Sequence, residues 1–429
     1  MTTLTAGTVP LRRDATLIGL VGLAHGISHF SQLLLAPLFP WLKDAFAVSY
    51  AQLGFLLTIF FVVSCVVQTL SGFLVDKVGP RPVLMGGLAL VGLAGLGFAS
   101  STSYAMLAGF SVLAGLGNGV FHPVDFTLLN RGVSKQRLGH AYSVHNITGS
   151  LGWALAPVLL VPITLASSWR VALLCAAALA FAVLALLWLR RGDLALAPLP
   201  GPATPDAKVA VSAGADVPAA PAVLAMPAEH TLAFLKIPAV WVCFGFFLFY
   251  AGALSIVQSF ATQSAGQLHA VPAHLAAMCL TIYMVCSACG TLVGGFLAAD
   301  MERCERTVGL AFGFAALVAL CIGFTSLPAA AVPVLFGAMG AASGLAGPSR
   351  DILIKRSTPD HASGRVYGVV YSGLDIGQAL VPLGVGVLMD QGAFSTVWAV
   401  LAALFSVVMV GALRVRTVRR VPKVPAGAA

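Results

Sequence analysis

The chain has 429 residues, of which 59% are hydrophobic and 9% charged, with mean hydropathy +0.95 and net charge +9. Soluble domains carry about 25% charged residues, so these charges cannot cover a water-facing surface, which excludes a soluble enzyme and a nucleic-acid binder. The same figures exclude disorder for most of the chain, and long unbroken apolar runs exclude a barrel of alternating strands.

An all-α integral membrane protein fits, since a helix needs about 20 apolar residues to cross about 30 Å of hydrocarbon. That length predicts six spans at 15–40, 50–75, 82–100, 103–129, 138–163 and 169–189. Six more are predicted at 237–262, 272–298, 307–327, 331–354, 364–389 and 393–413. The first apolar segment is too long for a cleaved leader and no small-residue cleavage site follows it, so it is expected to stay in the membrane. Between the halves the chain is rich in Ala and Pro with no periodic apolar face, the composition of a flexible linker. Residues 1–191 and 236–429 are therefore expected to form two bundles, joined by a linker at 192–235. The Cys286/Cys289 pair sits in an apolar helix and reads as two small buried hydrophobes.

Twelve spans put both termini on one side. Only Lys43 and Arg170 fall on the other side and Arg350 within a span, leaving 21 of the 24 basic residues on the side of the termini. Lys and Arg concentrate in cytoplasmic loops, so both termini are expected in the cytoplasm and the protein in the inner membrane of a bacterium. An offset of 225 residues carries Pro123 to Pro348, Gly139 to Gly364, Gly152 to Gly377 and Pro157 to Pro382. Parallel six-helix repeats belong to transporters that rock two halves about a central site.

The loop after the second span reads Gly72-Phe-Leu-Val-Asp76-Lys77-Val-Gly79-Pro80-Arg81. It resembles the G-x-L-x-D-[RK]-x-G-[RK]-[RK] signature of the major facilitator superfamily, matching at Gly72, Asp76, Lys77, Gly79 and Arg81. A degraded copy follows span 8 at Gly295 to Asp300. The resemblance implies the fold of that superfamily: twelve transmembrane helices in two pseudo-symmetric six-helix bundles. It also implies that this loop acts as a conformational latch, with Asp76 pairing to a cation such as Arg131 or Arg81. Gly115-Leu-Gly117-Asn118-Gly119-Val-Phe121-His122-Pro123 in span 4 is similar to bacterial efflux members of the fosmidomycin-resistance type.

Polar side chains at membrane depth face the bundle interior and mark function. Helical spacing groups His25, His29 and Gln32 on span 1, and Ser111, Asn118, His122 and Asp125 on span 4. Tyr371, Asp375 and Gln378 share a face of span 11, with His145 and Asn146 on span 5 and Tyr250 and Gln258 on span 7. Of these, His25, His29, Gln32, Asn118, His122, His145, Asn146, Tyr250, Gln258, Tyr371 and Gln378 are the expected cavity-lining residues. His122 and His145 are expected well below His25 and His29. Asp125 and Arg350 are equivalent under the repeat and are expected to pair as a cytoplasmic gate, with Asp351 and Arg131 nearby. Asp375 lies deep and could cycle a proton, and histidines titrate near neutral pH. Asp375, His25 and His29 are therefore the proton-coupling candidates. No G-x-x-x-x-G-K-[ST] run occurs, which disfavours ATP as the energy source, and no cofactor or resident metal is expected.

The expectation is a monomeric secondary transporter that moves a small organic solute by alternating access, coupled to protons. Export of a drug-like or metabolic compound leads; uptake of a small organic anion and transport of a transition metal are the alternatives.

Overall fold

A computed structural model describes residues 11–196, 238–298, 303–357 and 363–418. Twelve stretches of helix in it are long and apolar enough to cross a membrane. In chain order the first half comprises α1 (Leu11–Gln32), α2 (Phe39–Phe46), α3 (Tyr50–Val78), α4 (Pro80–Ser100), α5 (Tyr104–Asn118), α6 (Phe121–Gly132), α7 (Leu138–Ala166) and α8 (Trp169–Leu189). The second comprises α9 (Pro238–Ser259), α10 (Ala261–His269), α11 (Ala273–Leu297), α12 (Cys304–Phe324), α13 (Ala331–Ser357), α14 (Ser363–Asp390) and α15 (Phe394–Val418). The proposed linker lies outside the described residues beyond Leu196.

The internal repeat is structural. Shifted by 225, the starts of α7 and α8 fall on the first residues of α14 and α15, and α1 to α5 start within three residues of α9 to α13 (α6 aside). The departure is α6. Span 4 breaks at Gly119 and Val120, and Pro123 occupies the first turn of α6, where its missing N–H is not needed. Its repeat partner Pro348 sits inside an unbroken α13. There Ala342 replaces Gly117, a better helix former by about 1 kcal/mol.

The signature loop has a backbone reason. Gly79 adopts φ +88° at the end of α3, a conformation glycine reaches without strain. Pro80 then opens α4, its fixed φ already helical.

Within the halves, α1 packs on α7, α4 on α8, α11 on α13, α9 on α14 and α12 on α15. The halves meet along two seams, α3 with α14 and α7 with α11, which the repeat interchanges. On the side away from the termini, Phe39 and Tyr50 of the first half pack against Phe260 of the second. There the carboxylate of Asp390, the last residue of α14, accepts from the backbone N–H groups of Tyr50 (2.7 Å) and Ala51 (2.9 Å). Those donors are free because the N-terminal turn of a helix has no internal partner for them, and the helix dipole favours the negative charge. Ser49 and Gln52 close a capping box beside it. One turn further in, Gly54 lies against the Pro382 carbonyl where a Cβ would stand 2.5 Å away, and a turn beyond it Thr58 donates to the Ala379 carbonyl.

Asp390 thus ties the halves only while this side is closed. Asp390→Asn is expected to remove about 1 kcal/mol from the closed state, raising the population open on that side roughly fivefold. Thiol labelling of Ala379→Cys, a buried position on the seam, reads the change in a background without the eight native cysteines. Equal labelling rates with and without Asp390 would show that the contact holds nothing.

Candidate functional site

Two polar constellations lie at membrane depth. The first is enclosed by α1, α6 and α7. Asp125 is fully buried, and its Oδ2 meets His25 Nδ1 at 3.1 Å and His145 Nε2 at 3.2 Å. The His25 and His145 rings stack at 3.5 Å, His29 lies 4.4 Å from His25, and His122 lies 5.1 Å from His25 and 6.1 Å from His145. His29 also packs 4.2 Å from the ring of Trp153, whose Nε1 donates to Gln32. Five ionisable side chains from three helices therefore form one cluster.

Glycine makes room for it. A Cβ on Gly149 would stand 2.9 Å from His25 Nε2 and His29 Nδ1, and one on Gly152 only 2.1 Å from the Gly26 carbonyl. Small residues at such crossings let membrane helices approach closely. The register of α1 against α7 is set at its lower end, where Asp14 accepts from the Ser134 hydroxyl and from Arg137 Nη1 at 2.8 Å. His25 and His145 lie the same number of residues along the chain from Asp14 and Ser134, so both histidines reach one level. This corrects the expected depths: His122 and His145 are not below His25 and His29 but beside them.

Asn118 accepts from Ser28 (2.8 Å) and donates to Ser64 (2.9 Å), joining α5 to α1 and α3. Interhelical bonds of this kind average about 0.6 kcal/mol in membranes. Asn118→Ala is expected to cost about 1–2 kcal/mol for both and to lower the apparent melting temperature of detergent-purified protein. An unchanged melting curve would remove the bridge from the account.

The second constellation spans the halves. Gln68 Nε2 of α3 donates to Asp375 Oδ2 of α14 at 3.2 Å, near the middle of both helices. Behind it Gln378 donates to Gln258 of α9 at 3.3 Å, both side chains buried. Arg350 places its guanidinium 4.8 Å from the Tyr250 ring and 5.4 Å from Phe247.

Three further expectations are corrected. Asp125 does not pair with Arg350, because it turns into its own half toward two histidines while Arg350 lies over rings of the other half. Asp76 is exposed, and Arg81 donates instead to the Arg191 carbonyl, so Arg81 does not close a latch on Asp76 in this structure. Asn146 is exposed on a different face of α7 from His145. Asp351 and Tyr371 lie on α13 and α14, in stretches whose side chains are outside the described residues.

Gln68, Trp153 and Asp390 are functional positions that the spacing pattern of the sequence does not mark. A lone amide in the apolar run of α3 was a visible signal for Gln68. Asp390 sits at a helix end 340 residues from Tyr50, and no local pattern announces such a pairing.

Known proteins match both halves. A family model described as the Major Facilitator Superfamily matches residues 21–267 and 242–429. The chain is 30% identical over 162 residues to the fosmidomycin resistance protein of Escherichia coli (strain K12), covering 36% of this chain and 38% of that one. It is 31% identical over 143 residues to the MFS-type transporter YfnC of Bacillus subtilis (strain 168), covering 33% and 34%. Each match thus spans about a third of the relative. The crystal structure of a bacterial homologue of the human lysosomal transporter Spinster, inward-facing and occupied, superposes with TM-score 0.71 over 96% of this chain and 98% of that one at 14% identity, which shows a shared fold.

Proposed function

Because the chain belongs to the major facilitator superfamily, transporters of small solutes, we propose that it is a proton-coupled secondary transporter that exports a small organic compound by alternating access. The observation that carries this reading is the Gln68–Asp375 hydrogen bond across the α3–α14 seam. Carboxylates at membrane depth are expensive and tend to be functional, and this one stands where the halves must part. Ionised, Asp375 accepts a charge-assisted bond that holds the seam. Protonated, its Oδ2 is a weaker acceptor and the seam can open, so proton uptake and release gate the change of access. Among the described residues, Cys65, three residues before Gln68 on α3, is a titratable side chain that faces Asp375. His25 is turned toward Asp125 and His29 packs beside it within one half, away from the seam, which favours Asp375 as the coupling group.

Export is supported by the likeness to the fosmidomycin resistance protein. Positive charge on the terminal side supports an orientation with both termini in the cytoplasm. The test is solute flux in proteoliposomes with an imposed pH gradient, screened over a compound panel. Gradient-driven accumulation that is abolished by a protonophore supports the reading. Flux that ignores the gradient overturns the coupling.

A second reading, uptake of a small organic anion, is favoured by Arg350 beside Tyr250. Arg350→Ala separates the two: an importer of anions loses binding, whereas an exporter of neutral compounds keeps it.

A further inference from the structure

We propose that α1, α6 and α7 hold one divalent transition-metal ion of the Zn2+ class, with His25, His122 and His145 as ligands and Asp125 behind two of them. One ring nitrogen from each of the three histidines lies within 4.8 Å of the others. Asp125 Oδ2 takes the Nδ1–H of His25 and the Nε2–H of His145. That fixes both tautomers and leaves a lone pair on His25 Nε2 and on His145 Nδ1. A carboxylate behind a ligating imidazole is the usual outer partner of a bound metal.

The unpaired atoms decide between a proton and a metal. Nδ1 of His29, His122 and His145 and Oδ1 of Asp125 are buried with no hydrogen-bond partner. A buried polar atom without a partner is costly, and two of these nitrogens, on His122 and His145, belong to the proposed ligands. One added proton satisfies one of them. A divalent cation can bind three imidazole lone pairs and also balances the carboxylate. Imidazole donors select Zn2+, Cu2+, Ni2+ or Fe2+ over Mg2+ and Ca2+.

Ligation requires a modest rearrangement. Zn–N bonds of about 2.0–2.1 Å in a tetrahedron place nitrogens about 3.3 Å apart. His25 and His145 now stack with planes 21° apart, so one ring must turn out of the stack. His122 is half-buried and offers the entry path, and His29, 4.4 Å from His25, is the nearest fourth ligand. Every ligand comes from the first half, so parting the halves does not release the ion. It is a resident ion that pins three helices, not the cargo, and the inference holds whichever solute is carried.

The experiment uses full-length protein with any affinity tag removed, stripped with a chelator, desalted and loaded with Zn2+ or Co2+. One tightly held equivalent is expected, and the Co2+ form should show the intense visible bands of a tetrahedral site. His122→Asn should abolish retention, and Asp125→Asn should weaken it by about 10- to 100-fold. His140→Ala, at an exposed histidine, should leave it unchanged. Stripped wild-type protein that retains no metal, or a His122→Asn variant that binds as wild type does, overturns the proposal. Should the variants fail to fold, the wild-type Co2+ spectrum decides: a pale octahedral spectrum counts against the site. Exchange of Zn2+ across vesicles carrying the protein would make the ion cargo and overturn the resident role.

Discussion

Asp375→Asn is expected to abolish accumulation without abolishing transport. With one proton moved per solute, two pH units drive about a 100-fold ratio, since each unit is worth 1.36 kcal/mol. In the variant the ratio should settle near unity, while solute still equilibrates in both directions. Asn has nearly the volume of Asp and keeps an oxygen for Gln68 Nε2, so the α3–α14 bond survives in neutral form. What disappears is the difference between two protonation states. Radiolabelled solute in proteoliposomes, with and without the gradient, makes the measurement. A variant that still concentrates its solute would move the coupling to another group.

Gly152→Val should have the largest effect on folding. A Cβ there would lie 2.1 Å from the Gly26 carbonyl oxygen and 3.1 Å from His29 Cβ. The first of these is backbone, so no rotamer relieves the clash and α1 must move away from α7. Overpacking costs about 1–3 kcal/mol in ordinary cores, occasionally more. Here the shift also pulls His25 and His145 off Asp125, and loss of a partner from a buried charge adds about 3–5 kcal/mol. The expected result is loss of monodisperse protein on size exclusion, or a melting temperature far below wild type. Gly139→Ala on the same helix meets nothing within 4 Å and should be neutral or slightly stabilising. Equal behaviour of the two variants would refute the close-approach account.

Span positions were legible because apolar length is a strong local signal: the predicted 169–189 and 82–100 agree with α8 and α4 to within two residues. The half repeat was legible because glycine and proline mark backbone events that recur in both halves. The site was half legible. Helical spacing found His25 and His29 on one face, and Asp375 and Gln378 on α14. Depth across different helices was not, because it depends on the Asp14–Ser134–Arg137 contact, which joins residues 120 positions apart or more. The Asp125–Arg350 pairing failed because symmetry equivalence gives corresponding places in two halves, not neighbouring ones. Asp375 was found, but its partner Gln68 was passed over in a helix that reads as uniformly apolar.

The two seams are equivalent by symmetry yet unlike in chemistry. Applying the 225-residue shift to Tyr50, Gln68, Asp375 and Asp390 gives Leu275, Val293, Ser150 and Leu165. The polar rivets of one contact thus correspond to mostly greasy positions in the other. Exchanging the conformations of the two halves would therefore not yield an equally deep energy well. The polar contacts between α3 and α14 favour the state seen here over its symmetry mate, whose α7–α11 seam has no equivalent of them at these four positions.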